Sequence, residues 1–147
     1  MSNTSIYLTE GAINPQAVAD YIAKQTSKTE IGAHAIFLGQ VRADIVDAKN
    51  VKAIEYSAYP EMIESAVKNI KDQIYSKYNE IICVYILHSI GLVKAGQLSL
   101  FVFVGSKHRK QAFMASEEIV DLIKKDLPVW KKELFDDGTT NWKENVI

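Results

Sequence analysis

The stretch LSLFVFVGSKHRK, residues 98–110, joins an apolar run directly to a row of basic residues. The apolar part is typical of a buried β-strand. After Gly105 and Ser106, apolar residues recur at helical spacing, which predicts a helix over about residues 108–126. Pro128 ends this helix, because the residue before a proline avoids helical geometry. The stretch therefore predicts a strand that passes into a helix, with the basic row at the helix start.

The segments on either side predict the remaining elements of one α+β domain. Asn14 and Pro15 form a standard helix start, and Asp137-Gly138 predicts a hairpin late in the chain. We expect strands at 5–9, 32–42, 51–59 and 81–89, a helix at 60–78, a polar loop between 42 and about 50, and a turn at 91–97. This order of strands and three main helices predicts a single domain over residues 1–147 with a mixed or antiparallel sheet.

Composition excludes several classes of protein. The chain has 17 Lys and Arg against 18 Asp and Glu, a net charge of −1, so it lacks the basic field typical of nucleic-acid binding. The longest apolar run, IICVYIL at 81–87, is too short to span a bilayer, and the first residues lack the pattern of a signal peptide. We therefore expect a cytoplasmic protein that binds neither nucleic acid nor membrane.

The potential metal ligands do not form a recognisable motif. His34, His88, His108 and Cys83 show no paired spacing of the kind that binds zinc. Cys83 lies within an apolar run, where a core residue is more common than a reactive thiol. The P-loop, G-x-S-x-G and G-x-G-x-x-G motifs are absent from the sequence. We predict no metal site and no bound cofactor.

The basic row at 107–110 stands where positive charge is unfavourable. An exposed cation at a helix start opposes the helix dipole at a cost of about 0.3–1 kcal/mol. A bound anion would reverse the sign of this interaction. Arg109 can grip an anion with two hydrogen bonds and His108 can add a third. A phosphate or carboxylate site explains the row; a solvated surface is the alternative for each residue taken alone.

A second candidate region is LPVWKKEL, residues 127–134. A lysine held against a flat apolar wall loses solvation and has a lowered pKa, which makes it a usable base or nucleophile. Trp130 beside Lys131 offers such a wall, and Phe37 offers another. From spacing alone, core packing is the simpler explanation for Trp130.

Six parts of the chain match one known family in order: GAHAIFLGQVR (32–42), EYSAYPEM (55–62), LHSIGLVKAGQ (87–97), GSKHRKQAF (105–113), VDLIKKDLPVWKKE (120–133) and Trp142. Together they resemble the MoaE family, the large catalytic subunits of molybdopterin synthase. The most specific feature is His108-Arg109 followed by Lys124 and Lys131 around a P-x-W motif.

The resemblance implies a fold, a reaction and partners. It implies an α/β hammerhead-type fold and a homodimer within a heterotetramer that also contains small ubiquitin-like sulfur-carrier subunits. The carrier would end in Gly-Gly bearing a thiocarboxylate. The substrate would be cyclic pyranopterin monophosphate, and transfer of two sulfurs would give molybdopterin, a step of molybdenum cofactor biosynthesis. This makes the chain a sulfurtransferase subunit.

The resemblance also assigns roles to single residues. Lys124 matches the principal catalytic lysine and Lys131 the second, and both would contact substrate. The other positions that match substrate-binding residues are Phe37, Gln40, Val41, Arg42, His108, Arg109, Lys132 and Glu133. Arg42, His108 and Arg109 would hold the anionic substrate across the dimer interface. Ser89 departs from the family, which usually has arginine there.

Two other functions fit the basic residues. One is a non-catalytic basic docking module for an acidic protein tail, and the other is a different phosphate-handling enzyme. Docking can use lysine or arginine equally, whereas proton transfer needs a titratable amine. Lys124 and Lys131 therefore favour catalysis.

Overall fold

The computed structural model describes residues 5–143, which form one mixed sheet packed with three helices. The strands are β1 Leu8–Glu10, β2 Ala33–Gln40, β3 Ile45–Val46, β4 Lys49–Ala58, β5 Ile81–Lys94, β6 Leu98–Ser106, β7 Val129–Phe135 and β8 Thr140–Lys143. The helices are α1 Pro15–Lys24, α2 Pro60–Lys77 and α3 Arg109–Asp126. The predicted α+β class is confirmed.

The sheet order is β2-β6-β5-β4-β7-β8, with every neighbouring pair antiparallel. In addition, β1 pairs in parallel with β5, and the short β3 pairs with β4. β5 and β6 lie inside the sheet and are largely buried, as their apolar runs predict. β2 is an edge strand.

The helices follow the signals in the sequence. The Asn14 side chain accepts a hydrogen bond from the backbone N–H of Gln16 at 2.9 Å, which caps α1. Each of the two long helices buries one face at three- and four-residue spacing. The buried residues are Ile63, Val67, Ile70 and Ile74 of α2 and Ala112, Ala115, Ile119 and Ile123 of α3. These faces join the main core, which also contains central strand residues.

Three details differ from the predictions. The first strand is Leu8–Glu10 rather than 5–9. The polar loop contains a hairpin, because Asp47 and Ala48 both adopt positive φ (51° and 63°) between β3 and β4. The predicted turn at 91–97 begins too early in the sequence. Gly91 has a φ of 81° but stays in β5, where it pairs with Tyr56, and β5 continues to Lys94.

No helix within residues 5–143 is long and apolar enough to cross a membrane.

Candidate active site

A cavity of about 680 Å³ lies where the end of α3 meets the end of β2, the residues after it, the start of β6 and strands β4, β5, β7 and β8. Most of the predicted site residues line this cavity: Phe37, Gln40, Val41, Arg42, Lys124, Lys131 and Glu133. They come from three separate segments of the chain. The structure therefore brings together residues that the sequence could relate only by resemblance.

The break at Pro128 places the two lysines in one cavity. α3 ends at Asp126, and the N–H of buried Leu127 donates to the carbonyl of Ile123 at 3.0 Å. β7 then begins at Val129 and runs back along β4. Strand alternation turns Lys131 and Glu133 of β7 towards the cavity.

The electrostatic surroundings of Lys131 weaken its protonated form. The pKa of Lys131 falls to about 8, first because the amine is buried and second because the positive charge of Lys124 lies beside it. Lys143 lowers the pKa further, whereas Glu133 raises it slightly. At pH 7 roughly a tenth of such a group is uncharged, against well under a thousandth for an ordinary lysine. Lys131 is therefore suited to proton transfer.

Two carboxylates at the cavity already have cationic partners. Glu133 is only 3% exposed, and its Oε2 lies 3.4 Å from Nζ of Lys143. At the rim, Nε of Arg42 lies 3.3 Å from Asp44, and the Arg42 side chain is 80% exposed. Arg42 can therefore turn towards an incoming anion at little cost.

Sequence reasoning did not assign Lys143 to the site. Lys143 lies opposite Lys131 in the β7–β8 register and so shares its face of the sheet. A two-residue turn at the predicted Asp137-Gly138 hairpin would pair Lys143 with Lys132. The observed register differs by one residue, so the predicted hairpin did not place Lys143 beside Lys131.

His88 also lines the cavity and was considered only as a metal ligand. Its pKa falls to about 4, mainly because the ring is buried, and Lys131 and Lys124 contribute. Nδ1 lies 2.7 Å from the backbone carbonyl of Ser89, and the ring packs edge-on against Tyr56 at 5.1 Å. The sequence feature that could have pointed to His88 is a single histidine within an apolar strand.

Three predicted site residues lie outside the cavity of their own chain. Nδ1 of exposed His108 is 3.1 Å from Glu80, and Arg109 is the exposed first residue of α3. At 1.5 Å per residue, Arg109 and Lys124 are about 22 Å apart along the helix. Lys132 points to the opposite face of β7, since strand residues alternate. There its Nζ lies 3.3 Å from Glu55 and 5.2 Å from the centre of the Trp142 ring.

No group of three or more His, Cys, Asp or Glu side chains within residues 5–143 is arranged to hold a metal ion.

Comparison with known proteins gives consistent matches. The chain is 36% identical over 142 residues to the molybdopterin synthase catalytic subunit of Thermoplasma volcanium, covering 97% of this chain and 99% of that protein. Among solved structures, the molybdopterin synthase of Staphylococcus aureus superposes with a TM-score of 0.81 at 29% identity, covering 97% of this chain and 98% of that one.

A second solved structure also matches this chain. The complex of subunits 1 and 2 of the molybdopterin-converting factor from Helicobacter pylori 26695 contains a chain with a TM-score of 0.78 at 20% identity. The match covers 93% of this chain and 88% of that one, and it supports the fold. The family model described as MoaE protein matches residues 8–126. Because this family model and a near full-length relative both match, the chain belongs to the MoaE family of molybdopterin synthase catalytic subunits.

Proposed function

We propose that this chain catalyses the two sulfur transfers that convert cyclic pyranopterin monophosphate to molybdopterin. The sulfur would come from the thiocarboxylated C-terminus of a small ubiquitin-like carrier protein. The observation that carries the proposal is the pair Lys124 and Lys131 in one cavity, with the pKa of Lys131 lowered to about 8.

The charges of the cavity residues suggest a separate role for each. Lys124, with Arg42 at the rim, attracts the phosphate of the substrate and the thiocarboxylate of the carrier. In each transfer the thiocarboxylate sulfur forms a bond to a substrate carbon as an oxygen leaves that carbon. Water then cleaves the bond between this sulfur and the carrier's carbonyl carbon, which releases the carrier as a carboxylate. The leaving oxygen needs a proton, and Lys131 donates it. Glu133 stays paired with Lys143 and keeps the cavity wall in place.

The remaining cations are proposed to come from a second copy of the chain. Arg109, Phe113, Ser116, Val120 and Lys124 follow one another at three- or four-residue spacing, so they form one line along α3. In a twofold dimer with antiparallel α3 helices, Arg109 of one copy meets Lys124 of the other. The pair His108-Arg109 then completes the partner's cavity.

The surface of α3 between Arg109 and Lys124 is suited to contact with a second copy of the chain. A groove of about 380 Å³ lies between the edge strand β2 and the middle of α3. Ile36 and Phe113 line it and are 38% and 65% exposed. Exposed apolar residues on an unpaired edge strand are typical of a surface that is covered in the assembly.

We also propose the assembly and location implied by the family. The homodimer binds one carrier per catalytic chain to give a heterotetramer, as the subunit complex from Helicobacter pylori suggests. The reaction takes place in the cytoplasm. The domain extends past residue 126, where the family match ends, because β7 pairs with β4 and carries Lys131.

The roles of Phe37, Gln40 and Val41 in substrate contact are part of the same proposal, since all three line the cavity. The role implied for Lys132 stays a prediction that its outward position does not support.

The test is incubation of the purified chain with thiocarboxylated carrier and cyclic pyranopterin monophosphate, followed by detection of the dithiolene product. We expect product only when all three components are present. Carrier binding is measured separately. Binding of carrier without any product would contradict the proposal and favour a docking module.

A further inference from the structure

We propose that Nε2 of His88 accepts a hydrogen bond from an N–H or O–H donor on the ring system of the bound substrate. This makes His88 a substrate-binding residue that recognises the pterin part rather than the phosphate. The inference rests on the proposed function, because it assigns one more contact in the same cavity.

The position of the ring proton follows from geometry. Nδ1 of His88 lies 2.7 Å from the backbone carbonyl oxygen of Ser89. A carbonyl oxygen can only accept a hydrogen bond, so Nδ1 carries the proton and donates it. In the neutral ring Nε2 is then an acceptor with a free lone pair.

That lone pair is open to the cavity. The described structure gives Nε2 no hydrogen-bond partner. Yet within residues 5–143 the only buried side-chain polar atom without a partner is Oγ of Ser89. Nε2 therefore belongs to the small exposed part of His88, which is 7% exposed and lines the cavity.

The surroundings make this acceptor useful. The cavity presents the cations Lys124, Lys131 and Lys143. Its carboxylates Glu133 and Asp44 are already paired with Lys143 and Arg42. The ring of His88 stays neutral near pH 7, because burial and the charges of Lys131 and Lys124 lower its pKa to about 4.

A ligand that fits these groups carries negative charge at one end and hydrogen-bond donors at the other. Cyclic pyranopterin monophosphate has this character, since its reduced pterin ring carries several N–H groups beside a cyclic phosphate. Cations alone would hold the phosphate of many metabolites equally well. His88 therefore adds selectivity for the ring.

Two substitutions separate recognition from structure. His88→Asn keeps an N–H near the Nδ1 position for the carbonyl of Ser89 but removes the acceptor. His88→Gln loses that donor position but returns an amide oxygen near the Nε2 position. We expect KM for cyclic pyranopterin monophosphate to rise about tenfold in His88→Asn with kcat changed less than about threefold. We expect KM in His88→Gln to recover to within about threefold of the native value.

A direct titration without carrier provides an independent readout. Affinity for cyclic pyranopterin monophosphate should fall about tenfold in His88→Asn, whereas affinity for inorganic phosphate should be unchanged. Thermal melting of each variant reports on folding.

The outcomes distinguish the two proposals. Native protein that binds the pterin but forms no dithiolene product would contradict the proposed function and leave the titration as the test of His88. Equal affinity of the native protein and His88→Asn for the pterin would overturn the inference. Greater loss of affinity in His88→Gln than in His88→Asn would also overturn it, because that order follows the Ser89 contact rather than the acceptor.

Discussion

Lys124 and Lys131 face the same cavity although they belong to a helix and a strand separated by Pro128. Two like charges side by side disfavour full protonation, and this contributes to the lowered pKa of Lys131. An arrangement that costs stability is instead useful for moving a proton and for holding an anion.

The first prediction concerns the pH dependence of sulfur transfer. If Lys131 donates a proton, kcat/KM falls as pH rises through about 8, the pKa of Lys131. In Lys143→Ala a positive charge near Lys131 is gone and Glu133 loses its partner, so the midpoint moves to higher pH. The profile is measured by product formation between pH 6 and 10. A midpoint that does not move would show that Lys131 is not the group that titrates.

The second prediction separates proton transfer from charge. Lys131→Arg keeps a positive charge but removes the titratable amine. We expect product formation to fall at least about 100-fold while carrier binding is retained. We expect a similar fall for Lys124→Arg, because a guanidinium does not replace a titratable amine at the position that matches the family's principal catalytic lysine. Single-turnover assays at saturating carrier measure both.

Lys125→Ala is the matched control, since Lys125 is an exposed neighbour on the same helical turn. Its turnover should be close to native. Near-normal turnover in both arginine variants would contradict the catalytic assignment and support docking alone.

The third prediction concerns the second copy. Arg109→Ala should weaken binding of cyclic pyranopterin monophosphate by about 1.5–3 kcal/mol, the scale of a hydrogen bond to a charged group. Its stability should be unchanged or slightly higher, because a cation opposing the helix dipole has gone. Lys110→Ala, the exposed neighbour, is the control and should bind normally.

Mixed dimers of two inactive variants provide a sharper form of this test. Chains carrying Arg109→Ala and chains carrying Lys124→Ala are each expected to be nearly inactive. In dimers that contain one of each, one of the two cavities has all its groups. Equal co-expression should therefore restore about a quarter of native activity, as expected for random pairing in a twofold dimer. No restoration would place His108 and Arg109 outside the site.

The fourth prediction concerns stability at acid pH. The folded pKa of His88 is about 4, whereas the unfolded value is about 6.5. The unfolded chain therefore binds more protons between these values, and the free energy of unfolding falls as pH decreases from about 6.5 to about 4. The loss attributable to His88 is up to about 3 kcal/mol. Lys131 from β7 and Lys124 from α3 oppose its protonation, and Tyr56 from β4 covers the ring.

Denaturant unfolding at a series of pH values checks this. His88→Asn should show a shallower decrease over the same range, while the contribution of the other titrating groups is common to both proteins. Parallel curves would show that His88 does not contribute.

Local signals were sufficient for most of the fold. Helical spacing and Pro128 predicted α3, and continuous apolar runs predicted β5 and β6. β3 was missed because its turn uses positive φ at Asp47 and Ala48, and alanine rarely adopts that conformation. The end of β5 was misplaced because Gly91 usually signals a turn, and only its pairing with Tyr56 keeps it in the strand.

The site was predictable where resemblance supplied it and incomplete elsewhere. His88 reaches the cavity through the pairing of buried strands, and Lys143 through a hairpin register that differs by one residue from that of a two-residue turn. Conversely, Lys132 was predicted to line the same pocket as Lys131, yet strand alternation places it on the opposite face of β7. The prediction for His108 and Arg109 stays open, since it depends on a second copy.

The alternation along β7 bears on how proteins of this kind can evolve. Substitutions at outward-facing Trp130 alter the surface that other molecules meet, without changing the charges around Lys131. A single-residue insertion in this strand would instead exchange the two faces and remove Lys131 and Glu133 together. We therefore expect surface substitutions here to leave sulfur transfer intact, whereas insertions or deletions within the strand should abolish it.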